Sequence, residues 1–92
     1  MTFEWDERKN QANIRKHGIA FEDAVFVFKD PFILEAYDQK HSTWTEDRWQ
    51  AIGFAEQFLY VVYTERFGNI RIISARLATD EEINAYYQKN HS

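Results

Sequence analysis

The sequence predicts a single α+β domain, an antiparallel sheet packed against two N-terminal helices and a C-terminal helix, and three observations carry that expectation. Strand-like runs at 48–54, 58–66 and 70–77 follow one another across gaps of three residues, which antiparallel hairpins bridge and parallel crossovers do not. Helix signals flank them: Asp6 can cap and Gly18 can end a helix upstream, while Thr79 and Glu82 form a capping box downstream. The 92 residues are 45% hydrophobic and 17% aromatic, enough for one core; a chain of this size buries about 60–65% of its unfolded surface.

The elements follow in the order β-α-α-β-β-β-β-α. Phe3-Glu4-Trp5 alternates apolar and polar as a short strand does. A helix over 7–17 comes next, with Arg15, Lys16 and His17 placed beside the negative end of its dipole. Apart from Ala12 and Ile14 it is polar, so it reads as a surface, with Lys9, Asn13 and Lys16 or His17 along one side. Phe21, Ala24, Val25 and Phe28 repeat at helical spacing, and Asp30-Pro31 stops that segment. A strand is expected over 32–38, then a long polar loop over 39–47, where function or mobility concentrates. After the three hairpin strands, Ile83, Tyr86, Tyr87 and Asn90 mark one side of the last helix, and only one of the two tyrosines can face the sheet. Glycine and proline are sparse, three and one, so no linker divides residues 1–92.

Composition excludes several chemistries. Without cysteine the chain has no disulfide, zinc thiolate or sulfur nucleophile, in keeping with a reducing compartment. No leader-like start and no apolar run of about 20 residues is present, so a cytoplasmic address and no membrane contact are expected. The three histidines, His17, His41 and His91, lack ligand spacing, and neither a metal nor another cofactor is expected. Eleven Lys and Arg face fifteen Asp and Glu, a net charge of −4. Any nucleic-acid site must therefore be a local basic patch rather than a bulk property.

The arginines supply candidates for such a patch. A first hairpin turning at 55–57 sets Phe54 opposite Phe58, Trp49 opposite Tyr63 and Arg48 opposite Thr64, with Glu46 near Arg66 and with Arg48 and Arg66 on one face. The second hairpin has two possible registers: one pairs Glu65 with Arg71, the other sets Arg66 against Arg71. Like charges repel, so the first is preferred unless an anion lies between them. Arg71 and Arg76, five residues apart, fall on opposite faces of an ideal strand, roughly 16 Å from each other, and reach one small anion together only if a bulge intervenes. Trp5 and Trp49 are assigned to packing, although exposed aromatics can also stack bases.

The blocks Phe3-Glu4-Trp5-Asp6, Arg15-Lys16-His17-Gly18, Phe21-Glu22-Asp23-Ala24, Arg48-Trp49 with Ile52-Gly53, and 71–76 followed by Ala78-Thr79 resemble the BrnT-type toxins, in that family's order and over nearly the whole chain. Ala20 and Leu77 depart from it, standing where serine and a further basic residue are common. The resemblance implies a RelE-like fold and a type II toxin: a metal-independent endoribonuclease that inhibits translation and is neutralised by a BrnA-like ribbon-helix-helix antitoxin. A heterotetramer built on an antitoxin dimer is expected, covering the arginine face and touching operator DNA only through the antitoxin. In that chemistry the RNA 2′-hydroxyl attacks the adjacent phosphate while cations stabilise the oxyanion. Arg76 and Arg48 are the expected phosphate clamps, Lys16, Arg66 and Arg71 further RNA contacts, His17 or Glu46 the proton acceptor, and Tyr86 an orienting or proton-donating group. The competing reading is a non-catalytic binding module acting within an autoregulatory repressor complex.

Overall fold

The computed structural model describes residues 1–91. Five strands form one sheet: β1 (Thr2–Glu4), β2 (Leu34–Tyr37), β3 (Trp49–Ala55), β4 (Gln57–Arg66) and β5 (Asn69–Leu77). Three helices accompany it, α1 (Glu7–His17), α2 (Phe21–Ala24) and α3 (Asp80–His91), and a 3-10 turn, Val25–Lys29, continues α2. The spatial order is β1-β5-β4-β3-β2, antiparallel except for β1, which runs parallel to β5. The expected helix over 21–28 is therefore α-helical for one turn only, and the strand expected over 32–38 is trimmed to four residues.

Alternation along β4 and β5 separates the faces. Leu59, Val61, Tyr63, Ile70, Ile72 and Ala75 join Ile19, Phe21, Ala24 and Val27 in the core beneath α2 and the 3-10 turn. Gly53 lets that turn approach β3 closely: a Cβ there would lie 2.7 Å from Val27 Cγ1 and 3.2 Å from the Val27 carbonyl oxygen. On the other face, α3 packs over the Phe58 end, and its first turn reaches Arg76 beside Tyr60 through Glu82. Tyr86 is the tyrosine that turns inward, its ring 5.3 Å from Phe58, while Tyr87 is half exposed. The capping box at the start of α3 is reciprocal, Glu82 N–H donating to Thr79 Oγ1 and Thr79 N–H to Glu82 Oε1.

Helix α1 departs from the surface role its polarity suggests. Its two apolar residues, Ala12 and Ile14, face outward, and Asn10 and Asn13 are buried instead. Asn13 lies against the part of β5 that short β1 leaves unpaired: its amide donates to the Ala75 and Ile19 carbonyls and accepts from Ala75 N–H. Asn10 Oδ1 accepts from Phe21 N–H, serving the start of α2 where Ala20 has no side-chain acceptor. Asparagine amides thus satisfy backbone groups that an apolar helix would strand.

The first hairpin has the expected register, with Phe54 opposite Phe58 and Trp49 opposite Tyr63. The second follows neither expected register. The two-residue turn is Phe67-Gly68, both in the left-handed region (φ 52° and 83°), so Arg66 pairs with Asn69 and Arg71 with Thr64. The preferred Glu65–Arg71 pairing is thereby corrected; two successive positive φ angles suit the right-handed twist of a tight hairpin. Farther along, Val62 pairs with Ser74 but Tyr63 with Ile72, leaving Ile73 as a bulge. One extra residue reverses the alternation. Arg71 and Arg76 consequently share a face, against the ideal-strand expectation, along with Tyr60, Thr64 and Arg66.

Candidate nucleic-acid interface

The bare end of that face lies between the β4–β5 hairpin and the segment leading into β3. Trp49 pairs with Tyr63 and Thr64 with Arg71, while Arg71 pairs with Glu4 of β1. These registers bring Arg48, Thr64, Arg71 and Glu4 into one row across the sheet. Thr64 is 3% exposed, a small floor beneath two long cations, and its hydroxyl donates to the Asp47 carbonyl. Arg66 stands on the same face, diagonal to Arg71. Lys9 comes from α1, which runs along the β5 edge beyond the end of β1. The result is a hollow of ≈ 220 Å³ lined by Lys9, Glu46, Arg48, Arg66, Arg71 and Ile73.

The loop before β3 holds its share of this hollow by its own hydrogen bonds. Arg48 N–H donates to Ser42 Oγ, and its carbonyl accepts from Asp38 N–H. Ser42 N–H donates to the Asp38 carbonyl, Thr43 and Glu46 exchange backbone bonds, and Asp38 Oδ2 lies 2.7 Å from His41 Nδ1. The loop, expected to carry function or mobility, is a turn tied by polar contacts that fix the backbone under Arg48.

Charge pairing inside the hollow is incomplete. Arg48 Nε donates to Glu46 Oε1 at 3.0 Å, and its terminal nitrogens have no hydrogen-bond or ion-pair partner among the described residues. Arg71 Nη1 is 3.6 Å from Glu4 Oε2, a charge contact rather than a hydrogen bond. Lys9 and Arg66 form no ion pair among the described residues. Four cations converge on one lining carboxylate, so the site keeps a positive surplus although the whole chain is acidic.

Arg76 is placed differently. Both terminal nitrogens bind Glu82, at 2.8 and 2.9 Å, Nη1 also reaches the Leu77 carbonyl, and the guanidinium lies 4.0 Å from the centre of the Tyr60 ring. The Glu82 hydrogen bonds hold the guanidinium pKa above its ordinary value, against a smaller opposing effect of burial. It shares the face with the hollow but sits roughly 15 Å along β5 from Arg71. Tyr86 is at the far end of β4, where its hydroxyl donates to Asp30 Oδ2 at 2.7 Å. Lys16 and His17 end α1, about 12 Å along the helix axis from Lys9. Of the residues singled out in the sequence, Arg48, Glu46, Arg66 and Arg71 come together, whereas Arg76, Lys16, His17 and Tyr86 do not. Lys9 is the member that sequence reasoning placed only on a helix surface; no periodicity shows that α1 runs along a strand edge.

No three His, Asp or Glu side chains among the described residues are grouped to hold a metal ion, and no helix is long and apolar enough to cross a membrane. Fold and hollow together define a small α+β domain with a local cation-lined hollow on the uncovered end of its sheet. Residues 5–82 match the family described as "Ribonuclease toxin, BrnT, of type II toxin-antitoxin system", and the chain belongs to that family. The 1.1 Å crystal structure of the Brucella abortus ribonuclease toxin BrnT is similar to it, with 28% sequence identity and a TM-score of 0.64 over 87% of this chain and 99% of that one. No curated protein matches the chain.

Proposed function

We propose that this toxin cuts RNA without a metal, by attack of a ribose 2′-hydroxyl on the adjacent phosphate, and that the Lys9–Arg48–Arg66–Arg71 hollow receives that phosphate. The observation that carries the reading is the surplus of unpaired donors around one lining carboxylate. Planar guanidinium groups match two phosphate oxygens and stay charged, so they oppose the charge that builds on the phosphoryl group during in-line displacement. Glu46 lies in the same hollow and takes the 2′-hydroxyl proton as the new P–O bond forms. The bond to the 5′-oxygen breaks, and that oxygen takes a proton from the Lys9 ammonium or from water. The products are a 2′,3′-cyclic phosphate and a free 5′-hydroxyl. Arg76, released from Glu82, serves as an outlying contact for RNA running along the face that the Ile73 bulge lets it share.

Cutting transcripts in this way would inhibit translation, and a cell carrying such an enzyme needs it restrained. A BrnA-like ribbon-helix-helix antitoxin, dimeric and holding two toxins, would cover the arginine face and link the complex to operator DNA. Purified toxin should cleave single-stranded RNA in EDTA and leave cyclic phosphate ends, with Arg48→Ala and Arg66→Ala each slowing cleavage at least ten-fold, the order expected for losing one charge-stabilising contact. Intact RNA with folded protein, or cleavage indifferent to both substitutions, overturns the reading and leaves the non-catalytic repressor component. For the assembly, a toxin that elutes alone from size-exclusion chromatography after co-expression with its antitoxin would exclude the heterotetramer.

A further inference from the structure

Beside the phosphate hollow lies a second depression of ≈ 590 Å³ that shares Glu46 and Arg66 with it, and its other walls include Asp47, Trp49, Glu65 and Phe67. Its chemistry differs. Arg66 is its one cation, against three carboxylates, so it does not suit a phosphate. Phe67 is fully exposed at the tip of the β4–β5 hairpin. It also holds φ = 52°, a left-handed conformation that Asn, Asp or Gly adopts more readily than an aromatic residue. A bare aromatic ring held in a disfavoured backbone state, next to an anion site, is an unusual combination without a role in packing. Glu65 makes no side-chain hydrogen bond or ion pair among the described residues, and Asp47 has one oxygen engaged, by the Tyr37 hydroxyl.

We infer that this groove is a nucleobase subsite, in which a base next to the bound phosphate stacks on Phe67 and presents amino hydrogens to the Glu65 and Asp47 carboxylates. The inference rests on the ribonuclease reading above and adds its specificity. Stacking tolerates any base, because each has a π face. The carboxylates supply the selection: they only accept, so they favour the exocyclic amino groups of adenine, cytosine and guanine over uracil, which has none. Single-stranded RNA leaves those edges open to such contacts. The negative lining also keeps the phosphate in the neighbouring hollow, where the cations are.

Fluorescence anisotropy with 2′-O-methyl oligonucleotides, which lack the attacking hydroxyl, tests this. Chains of equal length carrying adenine, cytosine, uracil or no base are titrated into the full-length protein. Base-bearing chains should bind roughly five-fold or more tightly than the abasic chain, the discrimination expected of one stacked base, with uracil the weakest. Phe67→Ala and Phe67→Asn should both collapse that difference, and Phe67→Asn should melt no lower than wild type because asparagine suits the left-handed turn. Glu65→Gln should reduce the disadvantage of uracil, and Glu65→Gln combined with Asp47→Asn should erase it. Retention of base discrimination in both Phe67 variants would overturn the inference and assign the ring to a protein partner. Absent binding to any chain, or abasic binding that Arg66→Ala does not weaken, would instead overturn the phosphate reading beneath it.

Discussion

Asp30 shows how one side chain ties three elements together. Its Oδ2 accepts from Phe54 N–H on β3 and from the Tyr86 hydroxyl on α3, both within 2.8 Å, and Oδ1 accepts from Phe32 N–H. Burial acts to raise its pKa, but the three donors outweigh burial and leave it below the ordinary aspartate value. Tyr86 responds in the opposite direction, pushed up to about 12 by burial and by the carboxylate beside it. Because the folded pKa lies below the unfolded one, the stabilisation from Asp30 is complete above the unfolded value of about 3.9 and is lost as pH falls through the folded value. Glu82 adds in the same sense: burial raises its pKa, and Arg76 with Thr79 lowers it further than that. The urea midpoint should therefore drop as pH falls below about 4. Asp30→Asn should lose about 1–2 kcal/mol at pH 7 and show a shallower acid decline, with the Glu82 share remaining. An acid decline of unchanged steepness would show that the three donors do not stabilise the carboxylate.

Among elements, the edge of β5 depends on a side chain standing in for a strand. Asn13→Ala would leave the Ala75 N–H and two carbonyls without partners in a buried position, at a cost of about 2–3 kcal/mol by chemical denaturation. Gly53→Ala acts through packing: the new methyl overlaps Val27 and must push the 3-10 turn off β3, costing about 1–3 kcal/mol. Wild-type stability in either variant would mean that the contact yields freely. The difference between what was and was not legible follows the same line. The α1 caps, the Thr79–Glu82 box and the first hairpin are local, and side-chain chemistry a few residues apart sets them. The Phe67-Gly68 register, the Ile73 bulge and the parallel pairing of β1 with β5 depend on contacts distant in sequence, which no pattern of apolar residues encodes. The site was legible to the same extent: Arg48, Arg66 and Glu46 follow from the first hairpin and the loop before it. Arg71 joining them required the unread register, and Lys9 the unread course of α1.

At the scale of the whole molecule, an acidic protein that binds a polyanion must do so through local charge, and the ionic-strength dependence of binding measures how local. Net charge is −4, so a field spread over the surface would repel RNA, and weakening that field with salt would help binding. The hollow makes the opposite demand. Four lining cations, set against Glu46 and against the Glu4 that meets Arg71, would displace about two counterions from a single strand, giving a slope of log affinity against log salt of about −1.4. Arg66→Ala should make that slope shallower by about 0.7, the contribution of one cation on single-stranded nucleic acid. Neutralising distant acids such as Asp80 and Glu81 at the start of α3 should raise affinity at low salt through the weaker overall repulsion, and salt should screen that gain away. Measured by anisotropy between about 50 and 200 mM salt, a slope near zero, or one that Arg66→Ala leaves as steep, would mean that the cations of the hollow do not meet phosphate.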